Sequence, residues 1–201
     1  MGSAKTMNLL AVAHTYRAQG KRVRLLKPRV DERFSERSIV SRSGLQIEAD
    51  ELLAPGTVLD AASYAGLACV LVDEAQFLTP FVVEQLRSLT LNPGVPVICY
   101  GLRTDFRGRL FPGSQRLMEL ADNIEEVKVT CALCEKKATM NMRSIGGRPT
   151  REGAQVQLGA EESYAPVCFR CYDERLPMFA AGGSAGVGGA AETGSGGGGS
   201  A

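Results

Sequence analysis

The sequence has no tryptophan, a single histidine and no large excess of either charge. Its 23 basic residues are balanced by 22 acidic ones, which gives a net charge of +1. Proteins that coat nucleic acid or an anionic membrane usually carry a large positive excess, so we expect neither partner. No apolar run approaches the ~20 residues of a membrane-spanning helix. Since the N-terminal residues also lack the apolar segment of a secretory signal, we expect a soluble, cytoplasmic protein.

The final segment, residues 180–201, has little of what a folded core requires. It holds one charge, Glu192, and one large aliphatic residue, Val187, mostly among glycine, alanine and serine. Such a composition cannot bury enough apolar surface to offset the entropy lost on ordering. We therefore expect a disordered tail at 180–201 and a folded body before it.

Four of the six cysteines form two C-x-x-C pairs, Cys131 with Cys134 and Cys168 with Cys171. Each pair puts two thiolates on one tight turn, which suits tetrahedral zinc. Two disulfides are disfavoured without a secretory signal, and a thioredoxin-type motif explains only one pair. A closed four-cysteine site leaves no open position for catalysis. We predict a structural zinc, with a loop inserted between the two pairs.

Apolar stretches alternate with helical patterns along the first 130 residues. Strands are predicted at 23–26, 39–40, 45–47, 69–72, 95–100 and 125–130, and helices at 4–19, 80–89 and 112–121. Cys69 and Cys99 lie inside two of the apolar runs and are predicted to be buried strand residues. Strands that alternate with helices indicate an α/β fold with a parallel sheet.

Ala4-Lys5-Thr6 opens the first predicted helix. It matches the end of a P-loop, G-x-x-x-x-G-K-[ST], in which backbone N–H groups and the lysine contact phosphates and the hydroxyl contacts Mg²⁺. Ala4 occupies the position of the second glycine. Taken alone, the tripeptide is weak evidence, because Lys-Thr at a helix start is usually a solvated first turn.

Asp73 and Glu74 directly follow the apolar run at 69–72. An acidic residue at the end of a buried strand is the Walker B arrangement, which places Asp73 to hold Mg²⁺ directly or through water. Glu74 at the same strand end can accept a proton from an attacking hydroxyl, as phosphoryl transfer to an alcohol requires. The alternative is a strand that simply ends in polar loop residues.

Together with further segments, these motifs resemble the type II thymidine kinases, the zinc-containing deoxynucleoside kinases. The matching segments are MGSAKT at 1–6, KP at 27–28, DERF at 31–34, SR at 41–42, DEAQFL at 73–78, GLRTDFRG at 101–108, both C-x-x-C pairs and Tyr164. The resemblance runs from residue 1 to about 178. It implies a RecA-like P-loop core with a parallel sheet at 1–128 and a small zinc-ribbon-like module carrying a lasso loop at 129–179, with the tail at 180–201. It also implies a homotetramer.

The resemblance implies transfer of the γ-phosphate of ATP to the 5′-hydroxyl of thymidine, a nucleotide-salvage reaction that gives thymidine monophosphate, with Glu74 as the general base. It assigns ATP and Mg²⁺ to Gly2, Ser3, Ala4, Lys5, Thr6, Asp73 and Gln76. It assigns the nucleoside to Leu102, Phe106, Phe111, Gln157, Leu158, Gly159 and Tyr164. The main chain of 157–159, within a lasso at 144–163, would hydrogen-bond the pyrimidine edge.

Several of these residues have a plainer alternative. Core packing is as good an account of Phe77 and Phe111 as ligand contact. Arg33 matches an arginine near the phosphates, with surface charge as the alternative, and His14 is expected to be a solvated helix residue.

The chain also departs from the family pattern at its beginning. The family pattern carries a strand and the first P-loop glycine ahead of Met1, and we expect a chain without them to be a poor kinase. A catalytically weak or inactive relative that binds nucleoside, or a zinc-ribbon module that binds nucleic acid or protein, are the alternative functions.

Overall fold

The computed structural model describes residues 4–29, 37–41, 44–155 and 162–178. The elements up to residue 120 are α1 (Lys5–Ala18), β1 (Val23–Pro28), β2 (Ser38–Val40), β3 (Gln46–Glu48), β4 (Glu51–Leu53), α2 (Ala61–Tyr64), β5 (Cys69–Val72), a 3₁₀ helix (Ala75–Phe77), α3 (Pro80–Leu91), β6 (Val97–Cys99) and α4 (Pro112–Leu120). Those that follow are β7 (Met140–Ile145), β8 (Arg148–Thr150), β9 (Glu162–Val167) and α5 (Phe169–Asp173). No helix in these ranges is long and apolar enough to span a membrane. The predicted tail lies outside the described residues.

A parallel four-stranded sheet, in the order β4-β1-β5-β6, forms the centre of the larger part. Leu71 of β5 lies opposite Leu25 of β1 on one side and Ile98 of β6 on the other. All four residues of β5 are buried, as expected of an inner parallel strand covered on both faces. The predicted α/β fold with a parallel sheet is confirmed. Because the strands are parallel, their carboxyl ends share one edge, where the chain leaves β5 at Asp73.

The two faces of the sheet are covered by different helices. Cys69 and Leu71 pack with Leu9 and other buried residues of α1. Val70 and Val72, which alternate with them along β5, pack instead with α3, whose buried residues are Val82, Val83, Leu86 and Leu89. Helix α3 begins as predicted with Pro80 in its first turn, capped by the Thr79 hydroxyl. This packing fixes the first turn of α1 and the end of β5 relative to one another.

One predicted strand and one predicted burial need correction. Residues 125–130 form no strand, and Thr130 makes only an isolated bridge to Lys137. Most side chains of this stretch are exposed, so its apolar alternation has no packed face to stabilise a strand. Cys69 is fully buried as predicted, whereas Cys99 is half-buried because β6 lies at the edge of the described sheet.

The second part is a three-stranded antiparallel sheet, β8-β7-β9, followed by α5. Gly146 and Gly147 join β7 to β8 with φ values of 55° and 78°, the left-handed pair that a tight hairpin turn requires. One face of this sheet packs against the cysteine pairs and Tyr172. The lasso expected at 144–163 thus begins inside a regular hairpin.

Candidate functional site

Thr6 and Asp73, which were predicted separately as magnesium ligands, lie together at the carboxyl edge of the parallel sheet. Asp73 is 4% exposed, and its backbone N–H donates to Leu26 O at 3.0 Å. The Thr6 hydroxyl, in the first turn of α1, lies 3.5 Å from Asp73 Oδ1. Helix α1 and strand β5 therefore present a hydroxyl and a carboxylate to the same space.

The carboxylate of Asp73 lies in an electrostatic setting that favours a bound cation. Burial, followed by the charge of Glu74, raises the pKa of Asp73 to about 6, even though Lys27 and Lys5 act in the opposite direction. A cation beside the carboxylate offsets both the desolvation and the repulsion from Glu74. Carboxylate and hydroxyl oxygens are the hard donors that Mg²⁺ takes together with phosphate oxygens, so this pair fits the expected ion.

Glu74 has an unusual backbone conformation. Its φ is 50° and its ψ 35°, and among the described residues it is the only non-glycine residue with a positive φ. A non-glycine residue in the left-handed region costs on the order of 1–2 kcal/mol. Such strain concentrates at functional sites, where the surrounding structure holds the residue in place.

The side chain of Gln76 joins Glu74 to the loop that follows β6. Gln76 is 1% exposed. Its Nε2 donates to Glu74 Oε2 at 2.5 Å, and its Oε1 accepts the Leu102 N–H at 3.0 Å. The carbonyl of Leu102 in turn accepts the Ser114 hydroxyl at 2.6 Å. Leu102 is therefore held at both its N–H and its carbonyl. The amide of Gln76 makes one hydrogen bond through its nitrogen and one through its oxygen.

The aromatic residues assigned to the nucleoside form two pairs. Phe111 packs edge-on against half-buried Phe77, with ring centroids 5.6 Å apart. Phe106 and Tyr164 meet edge-on at 6.5 Å, which links the loop at 101–108 to β9. Phe106 is only 2% exposed and lies beneath the guanidinium of Arg143. Tyr164, which is half-buried, is therefore more accessible than Phe106.

The four cysteines of the C-x-x-C pairs converge on one point. Their Sγ atoms all lie within 4.8 Å of one another, and those of Cys134 and Cys168 are 3.6 Å apart. Zinc–sulfur bonds of about 2.3 Å in a tetrahedron separate the sulfurs by about 3.8 Å, so the spacing fits zinc. The N–H groups of Leu133 and Cys171 donate to Cys131 Sγ and Cys168 Sγ, each at 3.4 Å. These donors favour thiolates, the form that binds metal.

Asp105 is a buried polar residue that the sequence did not single out. Its Oδ1 accepts the N–H groups of Arg107 and Arg109, each at 2.9 Å. Its Oδ2 accepts the Arg107 side chain and, at 3.2 Å, the amide of Gln155 at the described end of the lasso. In the sequence Asp105 stands out only as part of the matching segment GLRTDFRG at 101–108, which does not reveal these hydrogen bonds.

Six predicted site residues lie outside the described residues: Gly2, Ser3, Arg33, Gln157, Leu158 and Gly159. Lys5 lies at the start of α1, with Ala4 at its N-cap. His14 is exposed on α1, as expected.

Comparisons with known proteins agree with this geometry. A family model described as thymidine kinase matches residues 1–172. A thymidine kinase of Chromobacterium violaceum is 46% identical over 173 residues, covering 86% of this chain and 93% of that protein. Thymidine kinases of Lactococcus lactis and Rhizobium meliloti are each 43% identical, covering 86% and 88% of this chain and 92% and 93% of their own. The chain belongs to the thymidine kinase family, and its four-cysteine centre is that of the zinc-containing type II enzymes.

Proposed function

We propose that the protein transfers the γ-phosphate of ATP to the 5′-hydroxyl of thymidine. The observation that carries the proposal is the meeting of Thr6, Asp73 and Glu74 at the end of β5, in a chain of this family. Parallel α/β sheets bind ligands at the carboxyl ends of their strands. A cation-binding pair directly beside a second carboxylate is what phosphoryl transfer to an alcohol requires.

Glu74 acts as the general base. Its carboxylate takes the proton of the 5′-hydroxyl while the hydroxyl oxygen forms its bond to the γ-phosphorus. The bond from that phosphorus to its bridging oxygen breaks, and ADP leaves. Gln76 donates a hydrogen bond to Oε2 of Glu74, whereas Oε1 accepts the proton.

The residues at the first turn of α1 hold the nucleotide. Thr6 and Asp73 would hold Mg²⁺, which would neutralise charge that develops on the phosphates. Lys5 and the amides of Gly2, Ser3 and Ala4 bind the phosphates, since N–H groups at a helix start face an anion.

The nucleoside lies between the loop at 101–111 and the lasso. Leu102, Phe106, Phe111 and Tyr164 contact the base, and Phe106 also packs edge-on against Tyr164. The main chain of Gln157, Leu158 and Gly159 bonds the pyrimidine edge. A site of this kind rejects purines by shape and because its polar groups would be left unpaired.

Other features of the proposal concern the whole molecule. Residues 1–128 bind ATP and 129–179 hold zinc and cover the nucleoside. The protein acts as a homotetramer in the cytoplasm, where free thiols suit a zinc centre. The balanced charge of 23 basic and 22 acidic residues supports a protein without a nucleic-acid partner.

A substrate panel tests the proposal. The purified protein is incubated with ATP, Mg²⁺ and thymidine, deoxyadenosine or deoxyguanosine, and monophosphate formation is followed by chromatography. We expect thymidine monophosphate, with kcat/KM for either purine lower by at least about 10²-fold. Comparable kcat/KM for a purine nucleoside would contradict the assignment of the lasso. Absence of thymidine monophosphate at high protein concentration would contradict the activity itself.

A further inference from the structure

We infer that Gln76 is a positioning residue that aims the carboxylate of Glu74, and that Gly101 is required because it leaves room for Gln76. This inference rests on the proposed function of Glu74. It differs from a role of Gln76 in binding ATP or Mg²⁺, because the residue would act through Glu74 alone.

The first support is that the orientation of the Gln76 amide is determined by its neighbours. Oε1 accepts the backbone N–H of Leu102 at 3.0 Å, and a backbone N–H can only donate. Nε2 therefore lies on the opposite side and donates to Glu74 Oε2 at 2.5 Å. A carboxylate that receives a hydrogen bond from a buried, fixed amide has little freedom to rotate.

The second support is that burial keeps the side chain of Gln76 out of reach of a ligand. The residue is 1% exposed, and both ends of its amide are already bonded. A direct contact with ATP or Mg²⁺ would require the ligand to reach this buried amide, whereas the bonds to Glu74 and Leu102 are already formed.

The third support is the close approach of Gly101. A Cβ at this position would lie 2.9 Å from Gln76 Oε1 and 3.1 Å from Gln76 N. A Cβ cannot lie so close to Oε1, and its contact with the backbone nitrogen would also be tight, so an alanine would displace the Gln76 amide. The lack of a side chain at position 101 therefore allows the Gln76 amide to lie where it bonds Glu74 and Leu102.

The fourth support is the strained backbone of Glu74. Its φ of 50° needs a surrounding structure that holds it. The backbone next to it is anchored by the bond from Ala75 N to Tyr100 O at 2.9 Å, and the side chain is anchored by Gln76. Gln76 and the loop after β6 together keep the base where the strand ends.

The test is a kinetic comparison of five variants, one of them a double variant, with the wild-type enzyme. Gln76→Ala and Gly101→Ala should each lower kcat by about 10–10²-fold, the cost of a misplaced catalytic group, with KM for thymidine and ATP within about 3-fold. In a Glu74→Gln background, Gln76→Ala should lower kcat by less than a further factor of about 2. A residue that acts only by positioning the base has no effect once the base has been removed. Gln115→Ala removes an exposed amide-to-Glu119 bond on α4 and serves as the control.

Three results would overturn the inference. The first is a rise in KM for ATP or in the Mg²⁺ requirement with kcat unchanged, which would assign Gln76 to the nucleotide. The second is an equal loss of kcat when Gln76→Ala is made in the wild-type enzyme and in the Glu74→Gln variant. The third is unchanged kcat in Gln76→Ala.

A crystal structure of Gln76→Ala gives a readout that does not depend on turnover. We expect the Glu74 carboxylate to leave its present position, and an unmoved carboxylate would refute the inference. A wild-type protein that phosphorylates no thymidine refutes the proposed function instead, so the two failures are distinguishable.

Discussion

The contact between Gly113 and the segment that carries Glu74 allows a quantitative test of how the site is built. Gly113 lies in the first turn of α4, where this helix packs on the 3₁₀ helix at Ala75–Phe77. A Cβ at 113 would lie 2.5 Å from Leu78 O and 2.9 Å from each of Ala75 O and Gln76 O. All three atoms belong to the backbone, so none can swing aside as a side chain would.

Two effects of Gly113→Ala have opposite signs. Alanine is favoured over glycine inside a helix by up to about 1 kcal/mol. Forcing a methyl group into a filled space costs about 1–3 kcal/mol. Because the clash is with backbone, we expect its cost to exceed the gain in helix propensity. The free energy of unfolding should fall by about 1–2 kcal/mol and Tm by about 2–8 °C. The shift of α4 should also displace Gln76 and lower kcat.

Thermal unfolding followed by circular dichroism measures the change in Tm of Gly113→Ala, with Gly56→Ala as the matched control. Gly56 has nothing within 4 Å of a built Cβ and no left-handed φ, so its substitution should change stability by less than about 0.5 kcal/mol. A Gly113→Ala variant that is more stable than wild type, or no less stable than Gly56→Ala, would show that the packing argument is wrong.

Three further predictions follow from the zinc centre and the core. Metal analysis of purified protein should find about one zinc per chain, and chelation should unfold the β7–β9 region first in hydrogen exchange; less than about half an equivalent in folded protein would count against the centre. Tyr64→Phe removes a hydroxyl that donates to Glu51 Oε2 at 2.7 Å, and urea unfolding should show a loss of about 1 kcal/mol, whereas no loss would mean that the bond contributes nothing. Burial raises the pKa of Cys69 to about 11, so this thiol should resist alkylation in the native state at neutral pH, and rapid labelling would contradict its burial.

Local patterns were enough to predict most of the parallel sheet and the acidic strand end. The run CVLV before Asp73 is apolar on both faces, and only an inner parallel strand buries both. The two C-x-x-C pairs likewise predicted one cluster, because a single tetrahedral zinc ion binds the four thiolates of two such turns. Residues 125–130 show the limit, since alternation alone does not supply a partner strand.

Contacts across long sequence separations could not be predicted in this way. The bond from Leu102 N to Gln76 joins residues 26 positions apart, and that from Gln155 to Asp105 joins residues 50 apart. Each depends on how two loops pack, which no periodicity encodes. The resemblance assigned Phe106 to the nucleoside, with core packing as the alternative. The sequence could not predict its packing beneath Arg143, because an aromatic ring in a core and one in a pocket are equally apolar.

The most direct test of the central claim is a comparison of wild-type protein and Glu74→Gln, with ATP-dependent phosphorylation of thymidine and thymidine binding measured on the same samples. Removing the base while keeping the size and hydrogen-bonding shape of the side chain should lower kcat by about 10²–10⁴-fold. Thymidine affinity, measured by calorimetry, should stay within about 3-fold, because the base acts mainly in the transition state. A Glu74→Gln enzyme with near wild-type kcat would contradict the account.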